Sequence, residues 1–411
     1  MSKKWLRFSA LLSLVPCMAL AQSEIAVENT GIVERPIAEG GVVQEATYVH
    51  TILWTDGSGA SYNIYVSDAP ITDIDAGNVF RIATEIPEAT QNYAHALLTP
   101  FAPGDVSNYY AVTMVDAGGT ESSTVTAGVN ATSAATSGTA DFGQPLWWFL
   151  DEPFIDGEID EWTFDPVSMS PDDPNHYVAG EIDGPADYSW DGAMGVDDNA
   201  LYLMANATDD VFVNTIPIED AGVWQGDSPE FYIGLYDLRP SVPRHPTPFW
   251  GNESDPSNAD TDWQLMIGAD AADNPARGWH FPGTHPEEFR TNWAVVGGEV
   301  FFTETAEGWR GEVRLPWTAL APDAATQVPF APKIGMILPA QYAGNDGDDP
   351  AGGRQGQLHW AQDEAANNSW NTPSAWEKVQ VIYDPKVFGL GGGGTAVEEK
   401  TWGEIKSSMG Q

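Results

Sequence analysis

Apolar and polar residues alternate with a period of two along most of this chain, in short runs broken by turn clusters. Tyr62, Ile64 and Val66 alternate with Asn63, Tyr65 and Ser67, and Tyr110, Val112 and Met114 follow the same rule. Farther on, Leu201, Leu203 and Ala205 alternate with Tyr202, Met204 and Asn206, and Phe231, Ile233 and Leu235 face away from Glu230 and Tyr232. Trp309, Gly311, Val313 and Leu315 alternate with Arg310, Glu312 and Arg314. Successive strand side chains point to opposite faces, so each run predicts a half-buried β-strand. The expected fold class is all-β.

Two breaks divide the pattern. Residues 129–143 are rich in Ala, Ser, Thr and Gly with no hydrophobic period, and are expected to be a flexible linker. They separate a unit at 31–128 from a larger one at 144–386. In the first, Trp54, Tyr109-Tyr110-Ala111-Val112 and the turn Asp116-Ala117-Gly118-Gly119 resemble a fibronectin type III domain, with Gly57-Ser58-Gly59 as a further turn. That resemblance implies a small, seven-stranded immunoglobulin-like sandwich acting as a spacer. The second unit has enough strands for a larger antiparallel, jelly-roll-like β-sandwich, with Arg239–Thr261 as a long loop. Residues 387–411, a glycine run and a short amphipathic tail, are expected to be a hinge with a weakly docked end.

The N-terminus changes the cellular picture. Lys3, Lys4 and Arg7 precede an apolar run from Phe8 to Leu20, and Ala19-Leu20-Ala21 supplies small residues before Gln22. Residues 1–21 therefore read as an export signal too short to span a bilayer. The expected location is outside the cytoplasm: secreted, periplasmic or at the cell surface. The only cysteine, Cys17, lies within that leader, so disulfides and thiolate metal sites are excluded from the exported chain. Lipoprotein processing at Cys17 is disfavoured by Pro16.

Sixty acidic against 17 basic residues give a formal charge of −43, which repels nucleic acid and anionic membranes. Seventeen tryptophans are more than two cores should need, so some belong at the surface. Trp224 opens Trp224-Gln225-Gly226-Asp227-Ser228-Pro229-Glu230, and Trp370 closes Asn367-Asn368-Ser369-Trp370. Each is a bulky aromatic among amides and carboxylates. An indole face suits the axial C–H face of a sugar, and the neighbouring polar groups suit its hydroxyls.

Five pieces of the second unit, in order, resemble the family 9 carbohydrate-binding modules. They are Phe154 to Trp162, Asn199 to Asp210, Trp224 to Glu230, Gly308 to Val313 and Asn367 to Trp370. The resemblance implies that Trp224 and Trp370 sandwich a sugar while Glu230 and Asn367 hydrogen-bond it, at micromolar to millimolar affinity. The implied ligands are mono- or oligosaccharides or polysaccharide ends. In the same region the family binds calcium, which takes oxygen ligands. Asp156, Glu158 and Asp160, with Asp209 and Asp210, are the candidate ligands, and Asn345–Asp349, with Asp346, Asp348 and Asp349, is a second candidate. One position departs from the family. Met266 stands where a strand arginine is usual, and Arg290 and Arg354 are the loop cations able to replace it.

No nucleophile elbow, zinc signature or phosphate loop is present, and the seven histidines show no metal-ligand spacing. The chain is therefore expected to be non-catalytic, with any glycoside hydrolysis residing in a partner chain. Two alternatives stand beside this reading. One is a structural surface protein with a degenerate sugar site. The other is a haem b electron-transfer subunit of related fold, with Met266, Met204 or Lys333 as axial ligands.

Overall fold

The computed structural model describes residues 25–34, 46–55, 61–99, 104–121, 125, 131–132, 136–162, 166–213, 223–238, 262–267, 276–279, 293–320, 330–349, 352–361, 367, 369–370 and 376–383. The leader, the turn at Gly57–Gly59, Arg239–Thr261, Arg290 and the tail lie outside these residues.

In the first unit, β1 (Ile25–Glu34), β2 (Ala46–Trp54) and β5 (Asn92–Ala96) form one antiparallel sheet. Opposite it, β3 (Ser61–Ser67) lies between β4 (Phe80–Pro87) and β7 (Gly104–Val115). Ile52 and Trp54 meet Tyr62, Ile64, Ile82, Tyr110 and Val112 between the sheets, as the alternation requires. The expectation of one solvated face fails here. Tyr65 and Ala111 point away from that core but are buried by Ile71, Ile74 and Val79 of the β3–β4 connection. Leu98–Thr99 (β6) and Ala131–Thr132 (β8) add two short pairings.

Residues 129–143 are not a free linker. Besides β8, they include the first part of β9 (Thr136–Trp148). Thr136–Ala140 pairs with β7, while Gly143–Trp148 pairs in parallel with β21 (Glu377–Tyr383). One strand thus belongs to both units. Backbone pairing needs no hydrophobic period, and threonine suits a strand, which is why composition misled. The units also pack together: Ala96 sits with Tyr236, Leu238 and Ile337, and the Arg81 guanidinium lies 4.9 Å from the Tyr383 ring centre.

The larger unit is a sandwich of two sheets. The back sheet runs β10 (Val167–Met169), β12 (Tyr188–Val196), β13 (Ala200–Asp209), β18 (Gly308–Pro316) and β17 (Glu299–Glu304). The front sheet runs β16 (Ala276–Trp279), β15 (Asp262–Ile267), β14 (Ser228–Gly234) and β19 (Ile337–Asp346). There β19 changes partner. Ala343–Asp346 pairs with β20 (Gly356–His359), which pairs with β11 (Tyr177–Gly180), whereas Ile337–Ala340 pairs with β21. The sandwich is not wholly antiparallel, because β9 runs parallel to both β21 and β12 and joins the two sheets.

Leu201, Leu203, Val313 and Leu315 of the back sheet meet Phe231, Ile233, Leu265, Leu338 and Val379 of the front sheet in the core. The outer face of β13 is covered as well. Tyr202 and Met204 pack under Phe149, which follows β9, and under Trp162, which ends the Pro153–Trp162 segment.

Candidate functional site

Glu230 and Tyr232 leave the core and share the outer face of β14, with Phe231 and Ile233 inward. Directly opposed residues on antiparallel strands share a face. Register therefore sets Met266 and Ala343 beside Glu230, Gln264 and Gln341 beside Tyr232, and Asn345 beside Ser228. Glu230 is only 1% exposed and both its oxygens are occupied. Oε1 accepts from Asn345 Nδ2 at 2.6 Å, and Oε2 accepts from Gln264 Nε2 at 3.0 Å and from the Tyr232 hydroxyl. Buried polar groups need such partners, and three donors supply them here.

Two chains of contacts run outward from this carboxylate. On one side, Asn345 Oδ1 accepts from Arg354 Nη1 at 2.9 Å, and the guanidinium lies 5.3 Å from the Trp224 ring centre. Gly353, at φ +75°, turns the β19–β20 connection just before Arg354, a conformation that favours glycine. Trp224 rides on a 3-10 turn (Val223–Gln225) held to the end of β19, because Asp227 Oδ1 accepts from the Gly347 amide at 2.9 Å. On the other side, the Tyr232 ring lies 5.5 Å from Trp376, whose Nε1 donates to the carbonyl of Ser369 at 2.8 Å. Trp370 is the next residue. Both tryptophans are half-exposed, 42% for Trp224 and 45% for Trp370. Asn367 is exposed as well.

The floor between these arms is polar and buried. Gln341 Nε2, both ring nitrogens of His359 and the Ser369 hydroxyl have no hydrogen-bond partner within the protein. Burial, with the positive charge of Arg354, holds the His359 imidazole neutral, its pKa pushed down to about 3. Unmade hydrogen bonds at buried groups cost about 1–3 kcal/mol each, so such a floor is suited to a ligand rich in hydroxyls.

Met266 is 2% exposed beside Glu230, and Arg354 brings a guanidinium from the loop to Asn345. The two methionines of the haem alternative lie on opposite outer faces of the sandwich. Met266 lies on the outer face of the front sheet, Met204 packs under Trp162 behind the back sheet, and Lys333 is exposed. No haem could reach both methionines.

The five expected calcium ligands do not converge. In the first group, Arg310 serves the Asp156–Glu158 turn: its Nη1 donates to the Gly157 carbonyl at 3.1 Å and lies 3.8 Å from Glu158. Buried Glu312 accepts from the Gly157 and Asp156 amides (2.7 and 3.2 Å) and from Trp162 Nε1 (2.9 Å). Burial pushes the Glu312 pKa up to about 7. Arg310 and Glu312 of β18 thus hold the Asp156–Glu158 part of the turn, while Glu161 beside it is buried with neither carboxyl oxygen partnered. Asp210 instead joins Asp187 and Asp348, with one carboxylate oxygen from each lying within 4.8 Å of the others. Asp346 borders them at 1% exposure with neither oxygen partnered, and Asp209 Oδ2 is unpartnered too. Burial, then the charges of Asp187 and Asp348, push the Asp346 pKa up to about 8. No ion pair among the described residues reaches this cluster. Oxygen ligands, net negative charge and unmet buried lone pairs fit a hard divalent cation.

No family model and no curated protein matches this chain. Among solved structures, it is similar to a family 9 carbohydrate-binding module from Caldicellulosiruptor kristjanssonii in complex with glucose. The identity is 16% and the TM-score 0.39, over 58% of this chain and 95% of that one. The same module in complex with cellotriose gives 16% identity and a TM-score of 0.38, over 58% and 93%. A putative carbohydrate-binding protein from Bacteroides uniformis ATCC 8492 gives 13% and 0.35, over 58% and 99%. At this level of likeness, function has to be read from the side chains of this chain.

Proposed function

We propose that the larger sandwich is a calcium-stabilised, non-catalytic sugar-binding domain. Trp224 and Trp370 flank the ligand as aromatic walls, Asn367 and Arg354 orient its hydroxyls, and buried Glu230 holds the Asn345–Arg354 arm in place. One observation carries this reading: two half-exposed tryptophans are tied by continuous contacts to a single buried carboxylate on a polar floor. Glycoside hydrolysis needs two carboxylates placed across the bond. Glu230 has both oxygens held by neutral donors and no second carboxylate in its network, which supports binding over catalysis. The ligand class is a mono- or oligosaccharide or a polysaccharide end. The first unit serves as a fibronectin III-like spacer in an exported protein, one that brings a glycoside hydrolase or cell-surface partner to its substrate. No described helix is long and apolar enough to cross a membrane.

Calorimetric titration of the intact protein with glucose, xylose, cellobiose and xylobiose tests the proposal. The expected result is micromolar to millimolar binding of at least one sugar. Heat indistinguishable from dilution for all four would reject it for these ligands.

A further inference from the structure

We infer that the cleft between the two sandwiches is a second binding site, for an uncharged polyhydroxylated ring ligand of mono- or disaccharide size. The cleft, about 630 Å³, sits where β20 and β21 diverge after β19 changes partner, and the first unit closes its other side. That volume is within the range of small-molecule sites. Its walls carry Trp147, Asn108, Gln144, His95, His176 and Gln380, among others. In a chain of 60 acidic residues, no Asp, Glu, Lys or Arg among the described residues lines it. A charged ligand would enter without a counter-charge, at a desolvation cost the walls do not offset. Amides, imidazoles and an indole instead match a neutral ring with hydroxyl edges and an apolar face.

The hydrogen bonds around the cleft fix which groups are offered. Tyr110 accepts from Asn108 Nδ2 (3.2 Å) and is bonded to Nδ1 of both His50 and His95 (2.8 Å each). His95 Nε2 faces Gln380 Oε1 at 3.4 Å. With the His95 ring neutral, the consistent arrangement has Nε2–H donating to Gln380 Oε1 and Nδ1 accepting from the Tyr110 hydroxyl. Burial, which pushes the His95 pKa down to about 3, favours that neutral ring. The Gln380 carbonyl is then occupied, while its buried Nε2 has no partner, and the residue lines the cleft. A hydroxyl oxygen is the acceptor that this buried amide lacks. Because His95 and Asn108 come from one unit and Gln380 and Trp147 from the strands of the other, an occupied cleft would also fix their relative orientation.

The site is independent of the tryptophan pair, so it is tested with Trp224→Ala/Trp370→Ala protein. Glucose, cellobiose, xylobiose and maltose are titrated calorimetrically up to millimolar concentration. The expected result is binding of one sugar per chain. Adding Gln380→Ala should weaken it about tenfold, as loss of a buried donor implies. Ser168→Trp, at an exposed position on the rim, should abolish it without changing the melting temperature. No binding of any sugar by the double variant, or binding unchanged by Ser168→Trp, would overturn the inference.

Discussion

Removing a carboxylate from the Asp187–Asp210–Asp348 cluster should have opposite effects with and without calcium. Asp346→Asn preserves size while removing a buried carboxyl group whose oxygens have no partner. In excess EDTA the variant should melt at the same temperature as the wild type or higher, because repulsion with Asp187 and Asp348 is relieved. In calcium the order should reverse. Binding to the native state adds RT ln(1 + [L]/Kd), about 2.7 kcal/mol at 100 times Kd. For a unit of this size, about 2–4 °C accompanies each kcal/mol, so the wild type should gain roughly 5–10 °C in millimolar calcium. Asp346→Asn, Asp210→Asn and Asp348→Asn should lose most of that gain. Asp156→Asn should keep it, since Arg310 and Glu312 already hold the Asp156–Glu158 turn. Differential scanning calorimetry of each variant in calcium and in EDTA provides the readout. A calcium gain equal in Asp346→Asn and wild type, or lost in Asp156→Asn, would refute the placement of the cation.

Arg354→Ala removes the cation beside Trp224 and the donor to Asn345, and should weaken sugar binding about two- to fivefold with little change in melting; calorimetry at constant calcium reads it. Glu312→Gln replaces one acceptor oxygen with an NH2 group facing a donor, and should cost about 1–3 kcal/mol in urea unfolding without altering sugar affinity. His95, with a pKa lowered from 6.5 to about 3, contributes stability that is complete above pH 6.5 and drains as the pH falls toward 3. In calcium-saturated protein, the drop in melting temperature between pH 7 and pH 5 should be smaller for His95→Asn than for wild type.

Alternation along β3, β13, β14 and β18 was enough to read an all-β chain and to sort Phe231 and Ile233 inward from Glu230 and Tyr232 outward. Trp224 and Trp370 were legible as surface residues because each stands in a short segment whose composition is wrong for a core. Their supports were not. Gln264 and Asn345 reach Glu230 only through the registers of β14 with β15 and β19, pairings that nothing local encodes. Arg354 was readable as a free loop cation but not as the neighbour of Trp224. The acidic turn at Asp156–Asp160 looked like an ion loop in isolation. Arg310 and Glu312, from a strand some 150 residues on, hold its Asp156–Glu158 part. Asp187, Asp210, Asp346 and Asp348 come together because turns from both sheets meet at one end of the sandwich. Residues 136–143 were misread because strand pairing through the backbone leaves no hydrophobic period to see.

A double-mutant cycle on the two tryptophans puts the central claim to its most direct test. Wild type, Trp224→Ala, Trp370→Ala and the double variant are titrated calorimetrically, in calcium, with the tightest-binding sugar. If both indoles wall one slot, each single change should weaken binding about tenfold or more, and the double should lose less than the sum of the two. Singles that bind like wild type, or free-energy losses that simply add, would contradict a shared site.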